Sequence, residues 1–88
     1  MVKVKYLLLF REKTGKEEDQ IQANTIRDLL HTIYKRYPLT HELIFDKSGE
    51  IKQYLLIIVN GNRIPTNFID RKLSESDEVV ISTPAGGG

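Results

Sequence analysis

Residues 25–38 read TIRDLLHTIYKRYP and contain the clearest amphipathic helix of this 88-residue chain. The apolar side chains recur at the spacing of one helical face, at Ile26, Leu29, Leu30, Ile33, Tyr34 and Tyr37. Thr25 and Asp28 resemble a capping box with Asp in place of the usual Glu, and Pro38 cannot continue a helix. The pattern predicts a helix over residues 25–37.

A strand hairpin is predicted before this helix. Apolar and aromatic residues alternate along the chain from Val2 to Phe10, which is typical of a strand. Residues 11–16 contain Thr14-Gly15 and are predicted to form the turn. Residues 17–23 are mostly polar, which favours a return strand at the edge of the sheet.

Three further strands are predicted after the helix. The nearly unbroken apolar run Leu55–Val59 ends at Asn60-Gly61, a strong hairpin signal, and indicates a central strand. Arg63-Ile64 is its short return strand, and Glu78–Ser82 is the last strand. Residues 39–46 allow two interpretations, a short helical turn or a packed loop.

The order of these elements predicts the fold. A single amphipathic helix can cover one face of a small mixed β-sheet, so the chain is predicted to form an α+β roll of the β-grasp, or ubiquitin-like, kind. Eighty-eight residues leave room for one core only. We predict a β-grasp domain over residues 1–82, followed by a flexible C-terminal tail over residues 83–88.

The second face of this predicted sheet is left without a helix. On the first strand Leu7 and Leu9 point away from the covered face, and consecutive residues of the 55–59 run must point to both faces. Exposed apolar patches mark partner surfaces. We therefore expect partner-binding residues, and these are Leu7, Leu9, Leu55, Ile57 and Val59. The alternative is that residues 39–45 fold across this face and bury part of it.

The composition excludes several classes of function. A net charge of +1 gives no reason to expect a nucleic-acid or membrane partner. Cysteine is absent, which removes disulfides and thiolate chemistry and fits a cytoplasmic location. His31 and His41 have no clustered carboxylate beside them, and the serines lack evident His and Asp companions. We predict no metal site, no bound cofactor and no self-contained active site.

The chain ends in Gly86-Gly87-Gly88, a run that adds nothing to a folded core. Glycine can lie extended in a narrow channel that a Cβ would block, and a terminal glycine has no side chain to crowd a reagent. We interpret the Gly88 carboxylate as the reactive group, presented by a tail that also includes Pro84 and Ala85. The alternative is a frayed terminus or a leftover linker.

Several short motifs follow one another along the chain. Residues 6–15 read YLLLFREKTG, residues 25–30 read TIRDLL, residues 58–61 read IVNG, and the tail closes with Gly87-Gly88. In this order and spacing the whole chain resembles the MoaD/ThiS group of ubiquitin-like sulfur carriers, and the MoaD side most closely. Ser82 stands where that family often has an apolar or aromatic residue that helps partner docking.

The resemblance implies a mechanism and a set of partners. An adenylating, ubiquitin-activating-like enzyme uses ATP to activate the Gly88 carboxylate, and a sulfur donor then converts it to a thiocarboxylate. In the MoaD case the tail enters the large subunit of molybdopterin synthase, which supplies the catalytic residues, and hands over sulfur for the dithiolene. The chain would then be the small, sulfur-carrying subunit of that sulfurtransferase, with Ser82 at the docking surface.

Other functions stay open beside a carrier for molybdopterin. The same carboxylate could be joined to lysines of other proteins, as in archaeal small modifier proteins that share this fold and tail. A carrier for thiamin or for tRNA thiolation is a variant of the first function. A plain interaction module with an inert tail is the remaining possibility.

Overall fold

The computed structural model describes residues 1–84. Its strands are β1 (Val2–Tyr6), β2 (Glu18–Ile21), β3 (Leu56–Val59), β4 (Asn62–Arg63) and β5 (Glu78–Ser82). Its α-helices are α1 (Leu8–Thr14), α2 (Ile26–Arg36) and α3 (His41–Ile44), and 3₁₀ turns occur at Pro38–Thr40 and Thr66–Phe68. The predictions that concern residues 85–88, including a flexible tail, lie outside the described residues.

The strands form one mixed sheet in the order β2-β1-β5-β3-β4. The central strand β5 runs parallel to β1 and antiparallel to β3. The pairs β1–β2 and β3–β4 are antiparallel, and β2 lies at one edge as its polar sequence predicts. The predicted β-grasp roll, with its main helix on a small mixed sheet, is confirmed.

The main helix, α2, follows the predicted stripe. The hydroxyl oxygen of Thr25 accepts a hydrogen bond from the N–H of Asp28 at 3.1 Å, so the cap read from the sequence is present. The helix buries Ile26, Leu29, Leu30 and Ile33. These side chains join the strand residues that point to the same face, which are Val2, Val4, Tyr6, Ile21, Ile57, Val59, Val79 and Ile81.

The prediction of a strand running to Phe10 and a turn over residues 11–16 is wrong. β1 ends at Tyr6, and α1 occupies Leu8–Thr14. Phe10 is fully buried on the inner side of α1. Gly15 ends the helix with a left-handed φ of 71°, and its N–H donates to the carbonyl of Arg11 at 2.9 Å.

The Asn-Gly hairpin between β3 and β4 is confirmed. Asn60 and Gly61 have φ values of 50° and 85°, as a tight turn of this kind requires. The side chain of Asn60 also donates to Asp77 at 2.8 Å and accepts from the N–H of Glu78 at 2.9 Å. The N–H of Ser74 and the amide of Asn60 lower the pKa of Asp77 below its ordinary value. The hairpin is thus tied to the start of β5.

A buried carboxylate joins β1 and β2 to the end of α2. Only 9% of the Asp19 side chain is exposed, and its Oδ2 accepts hydrogen bonds from the hydroxyls of Tyr6 at 3.0 Å and Tyr37 at 2.6 Å. The cations of Lys16 and Arg36 lie 3.8 and 3.7 Å from its Oδ1. Burial, and then the hydrogen bond to Asp19, raises the pKa of both tyrosines, so each hydroxyl stays a proton donor.

The segment left open by the sequence forms two short helical turns, Pro38–Thr40 and α3. They pack against α1 and α2, so the alternative in which residues 39–45 fold across the second sheet face is not observed. Within residues 1–84, the helices are all too short or too polar to cross a lipid bilayer.

Candidate functional site: the root of the C-terminal tail

The tail leaves the domain from the middle of the sheet. β5 is held on both sides, where Tyr6 pairs with Ile81 and Leu56 pairs with Ser82. One residue beyond β1, the N–H of Leu7 donates to the carbonyl of Ile81 at 3.0 Å. Because neighbouring strands hydrogen-bond β5 on either side, the point from which the tail departs is fixed.

An apolar patch lies beside this root on the sheet face opposite α2. Leu56, Ile58 and Val80 alternate with buried neighbours and are half-buried there. Leu7 continues β1 in extended conformation, and 43% of it is exposed. Leu56 pairs with Ser82, and the β1–β5 register extended by one residue places Leu7 on the other side of Ser82. We call Leu7, Leu56, Ile58 and Val80 the open-face patch.

Ion pairs border this patch on its exposed side. The ammonium of Lys3 lies 3.4 Å from Glu18, and that of Lys5 lies 3.3 Å from Glu78. Both pairs are well exposed, so they contribute little to stability. They place paired charges along one border of an apolar surface, and protein interfaces combine an apolar centre with a polar rim.

Three of the predicted partner-binding residues are core residues. Leu55, Ile57 and Val59 are at most 3% exposed and belong to the core cluster beneath α2. An unbroken apolar run does not show which alternate residues the helix covers. In the structure it is Leu56 and Ile58, and not Leu55, Ile57 and Val59, that lie on the open face. Ser82 is also buried, and its hydroxyl donates to the carbonyl of Thr83 at 3.0 Å.

Leu9 is exposed as expected, but for a different reason. It lies on α1 rather than on the sheet, next to Leu8, which is 58% exposed. Leu8 has a φ of 52°, a left-handed conformation that is rare for a bulky residue. Strained backbone of this kind is concentrated at functional sites. Here it lies between Leu7 and Leu9, and all three leucines are exposed.

Replacing Leu8 with glycine should leave the domain equally stable or stabilise it by up to about 1 kcal/mol, because glycine adopts this φ without strain. The matched control is Leu39→Gly, since Leu39 is similarly exposed and has no positive φ. That control should lose stability. Urea unfolding measures both, and a Leu8→Gly variant less stable than Leu39→Gly would contradict the strain.

A groove of about 430 Å³ opens on the other side of the tail root. Thr83 and Pro84 form part of its wall, so the tail begins at its edge. The remaining lining includes Leu9 from α1, Leu43 from α3, and Lys52, Tyr54 and Leu55 from the segment before β3. Two surfaces, the open-face patch and this groove, therefore flank the point where the tail departs.

A larger depression of about 900 Å³ lies between α2 and the Thr66–Phe68 turn, and neither Thr83 nor Pro84 lines it. Its Arg27 is already paired with Asp70, with Nε and Oδ1 2.9 Å apart. His31 at its edge, like His41, lies with its ring about 5 Å from that of Phe45. We find nothing there that bears on the tail.

Comparison with known proteins identifies the family. The ThiS family model matches residues 4–88, which is nearly the whole chain. The chain belongs to the ThiS family. The resemblance to the MoaD/ThiS group is therefore confirmed, and it extends from β1 to the terminal glycines.

Solved structures of similar proteins share the fold of this ThiS-family chain. Small archaeal modifier protein 1 from Methanosarcina acetivorans is 31% identical with a TM-score of 0.88, and the match covers 99% of this chain and 95% of that one. A molybdopterin converting factor subunit 1 from Pyrococcus furiosus is also 31% identical, with a TM-score of 0.75 over 96% and 97% of the two chains.

A more distant match shows the fold alone. It comes from the BexX/CysO complex of Amycolatopsis orientalis, at 16% identity and a TM-score of 0.78 over the whole of both chains. No curated protein matches the sequence significantly.

Proposed function

We propose that this chain is a sulfur carrier whose Gly88 carboxylate is adenylated and converted to a thiocarboxylate that donates sulfur in molybdopterin, or molybdenum cofactor, biosynthesis. Family membership and the similarity to a molybdopterin converting factor subunit support the proposal. The observation that carries it is the position of β5, whose central place in the sheet fixes the departure point of a tail ending in glycine.

The chemistry has two steps. A carboxylate oxygen of Gly88 attacks the α-phosphorus of ATP, a P–O bond breaks, and pyrophosphate leaves. The resulting acyl adenylate has a good leaving group, which the free carboxylate lacks. A sulfur donor at the level of hydrosulfide then attacks the carbonyl carbon, the C–S bond forms, AMP leaves, and a proton passes to solvent.

In this proposal the chain supplies a folded domain, a docking surface and a C-terminal glycine tail with a reactive carboxylate. Within residues 1–84 no group of three His, Asp or Glu side chains is placed to hold a metal ion. The catalytic groups would come from three partners, namely the adenylating enzyme, the sulfur donor and the large subunit of molybdopterin synthase. The open-face patch is the surface we assign to the last of these.

A charge in the open-face patch should weaken binding to the synthase large subunit. We expect Leu7→Glu to reduce affinity more than about tenfold, since a charge buried without a partner opposes docking. Because Leu7 is exposed in the free chain, the melting temperature of the Leu7→Glu variant should differ little from that of the parent. Titration calorimetry against the large subunit measures the first effect.

Leu39→Glu provides the control for that experiment. Leu39 is more exposed than Leu7 and lies in the Pro38–Thr40 turn, away from the patch. Its substitution should leave affinity unchanged. If the Leu7→Glu variant binds with the affinity of the parent per folded molecule, whether or not it is less stable, Leu7 does not dock the partner.

A second function is favoured by one comparison. The similarity to small archaeal modifier protein 1 equals that to the converting factor subunit in sequence identity. As a modifier, this chain would be activated in the same way, but a lysine amine would attack the adenylate and release AMP. Thiamin or tRNA thiolation would use the thiocarboxylate with another acceptor. A sulfur carrier and a protein modifier therefore differ in product, which is a thiocarboxylate for the carrier and an isopeptide for the modifier.

A further inference from the structure

The groove at the tail root begins where the described chain ends. Beyond Pro84, which lines the groove, the sequence has four residues, and four extended residues span about 14 Å at most. An enzyme that holds the Gly88 carboxylate in its active site must therefore bring its own surface against the domain around Pro84. The groove lies within that contact area.

Apolar and aromatic side chains in the lining of the groove favour an apolar ligand. Leu9 and Leu43 line it from two different helices, and Tyr54 stands at its rim with 73% of its surface exposed. Tyrosine is common at binding hot spots, where a large amphipathic ring is covered by a partner. Covering this concavity removes apolar surface from water, which stabilises a complex.

Two charged residues, Asp46 and Lys52, lie at the rim of the groove and indicate which partner group would bind beside the apolar one. The Oδ1 of Asp46 already accepts hydrogen bonds from the N–H and hydroxyl of Ser48 and from the N–H of Glu50. Lys52 is exposed, and the ion pairs among residues 1–84 do not include it. Asp46 keeps its negative charge but is held by hydrogen bonds within its own turn, so the ammonium of Lys52 is the rim group that a partner carboxylate would complement.

We infer that the adenylating enzyme inserts an apolar side chain into this groove, with a carboxylate beside it that pairs with Lys52. The apolar side chain packs against Leu9, Leu43 and Tyr54 while the tail enters the active site. This inference rests on the proposed function, because it takes an adenylating enzyme as the partner. Adenylation precedes both sulfur transfer and attachment to lysine, so the groove would bind the adenylating enzyme in either function.

Pyrophosphate exchange by the adenylating enzyme tests the inference with the full chain as substrate. We expect Tyr54→Ala and Lys52→Glu each to raise the KM for the chain about tenfold, with kcat unchanged, because they alter docking and leave Gly88 alone. The matched controls are Phe68→Ala and Lys35→Glu, both exposed and outside the groove. Both controls should behave as the parent chain.

The outcomes separate the inference from the proposed function. If the parent chain is activated and the groove variants match their controls, the groove is not the enzyme's contact and the inference falls alone. The same holds if the variants affect only transfer to an acceptor, or if they abolish self-association of the chain. If the parent chain is not activated at all, the proposed function fails and the inference fails with it.

Discussion

Deleting Gly88, or adding one residue after it, should abolish activation of the chain while leaving the fold intact. Each extended residue moves the terminal carboxylate by about 3.3–3.6 Å. A reacting group must lie within a much narrower tolerance of its partner atom. The expected result is loss of adenylation by at least about a hundredfold, measured as pyrophosphate exchange, with an unchanged melting curve.

The control for this prediction is an extension of the same length before Met1. The N-terminus begins a different strand, β1, so the added residue leaves the reach of the tail unchanged. This variant should be activated normally. Normal activation of a chain carrying an uncleaved residue after Gly88 would show that Gly88 is not the reactive end.

Replacing Asp19 with alanine should destabilise the domain by about 3 kcal/mol, the largest effect expected of any polar residue among residues 1–84. The substitution leaves the hydroxyl of Tyr6 buried without its acceptor and removes the partner of Tyr37. For a domain of this size such a loss lowers the melting temperature by more than about 10 °C. Thermal unfolding followed by circular dichroism measures it.

Asp70→Ala is the matched control for Asp19→Ala. Asp70 also accepts hydrogen bonds, from Arg27, but its pair is exposed, so the melting temperature should barely change. Tyr37→Phe should fall between the two variants, because it removes one donor and leaves the carboxylate its other partners. Equal melting temperatures for the Asp19→Ala and Asp70→Ala variants would contradict a structural role for the buried carboxylate.

The helix and the later strands could be predicted because their sequences carry unambiguous periods. The stripe of α2 repeats at helical spacing, and the run Glu78–Ser82 matches β5 at both ends. Asn60-Gly61 fixed the β3–β4 turn through its positive φ values. At these positions the local sequence pattern and the tertiary structure favour the same conformation, so these elements could be predicted.

The first helix was missed because its period is ambiguous. Leu7 to Phe10 are all apolar, and so short a run fits a strand and a buried helical face equally well. A signal was available in the helix-forming Arg11, Glu12 and Lys13 followed by Gly15, which is the usual residue at the end of a helix. Alternation from Val2 onward concealed it.

Three features of the domain and its candidate site depend on packing that no local pattern reveals. The parity of the 55–59 run is set by the register of β3 against β5, so sequence could not separate Ile57 in the core from Ile58 on the open face. Asp19 lies in a polar edge strand, and its partners Tyr6 and Tyr37 lie 13 and 18 residues away. The groove likewise brings together α1, α3 and the tail root.

The most direct test of the central claim is the intact mass of the full chain isolated from its own cells. We predict a population whose mass exceeds that of the free acid by the difference between sulfur and oxygen, located at Gly88 by fragmentation. Chains found only as the free acid, or only joined through Gly88 to lysines of other proteins, would contradict the proposal that this chain carries sulfur.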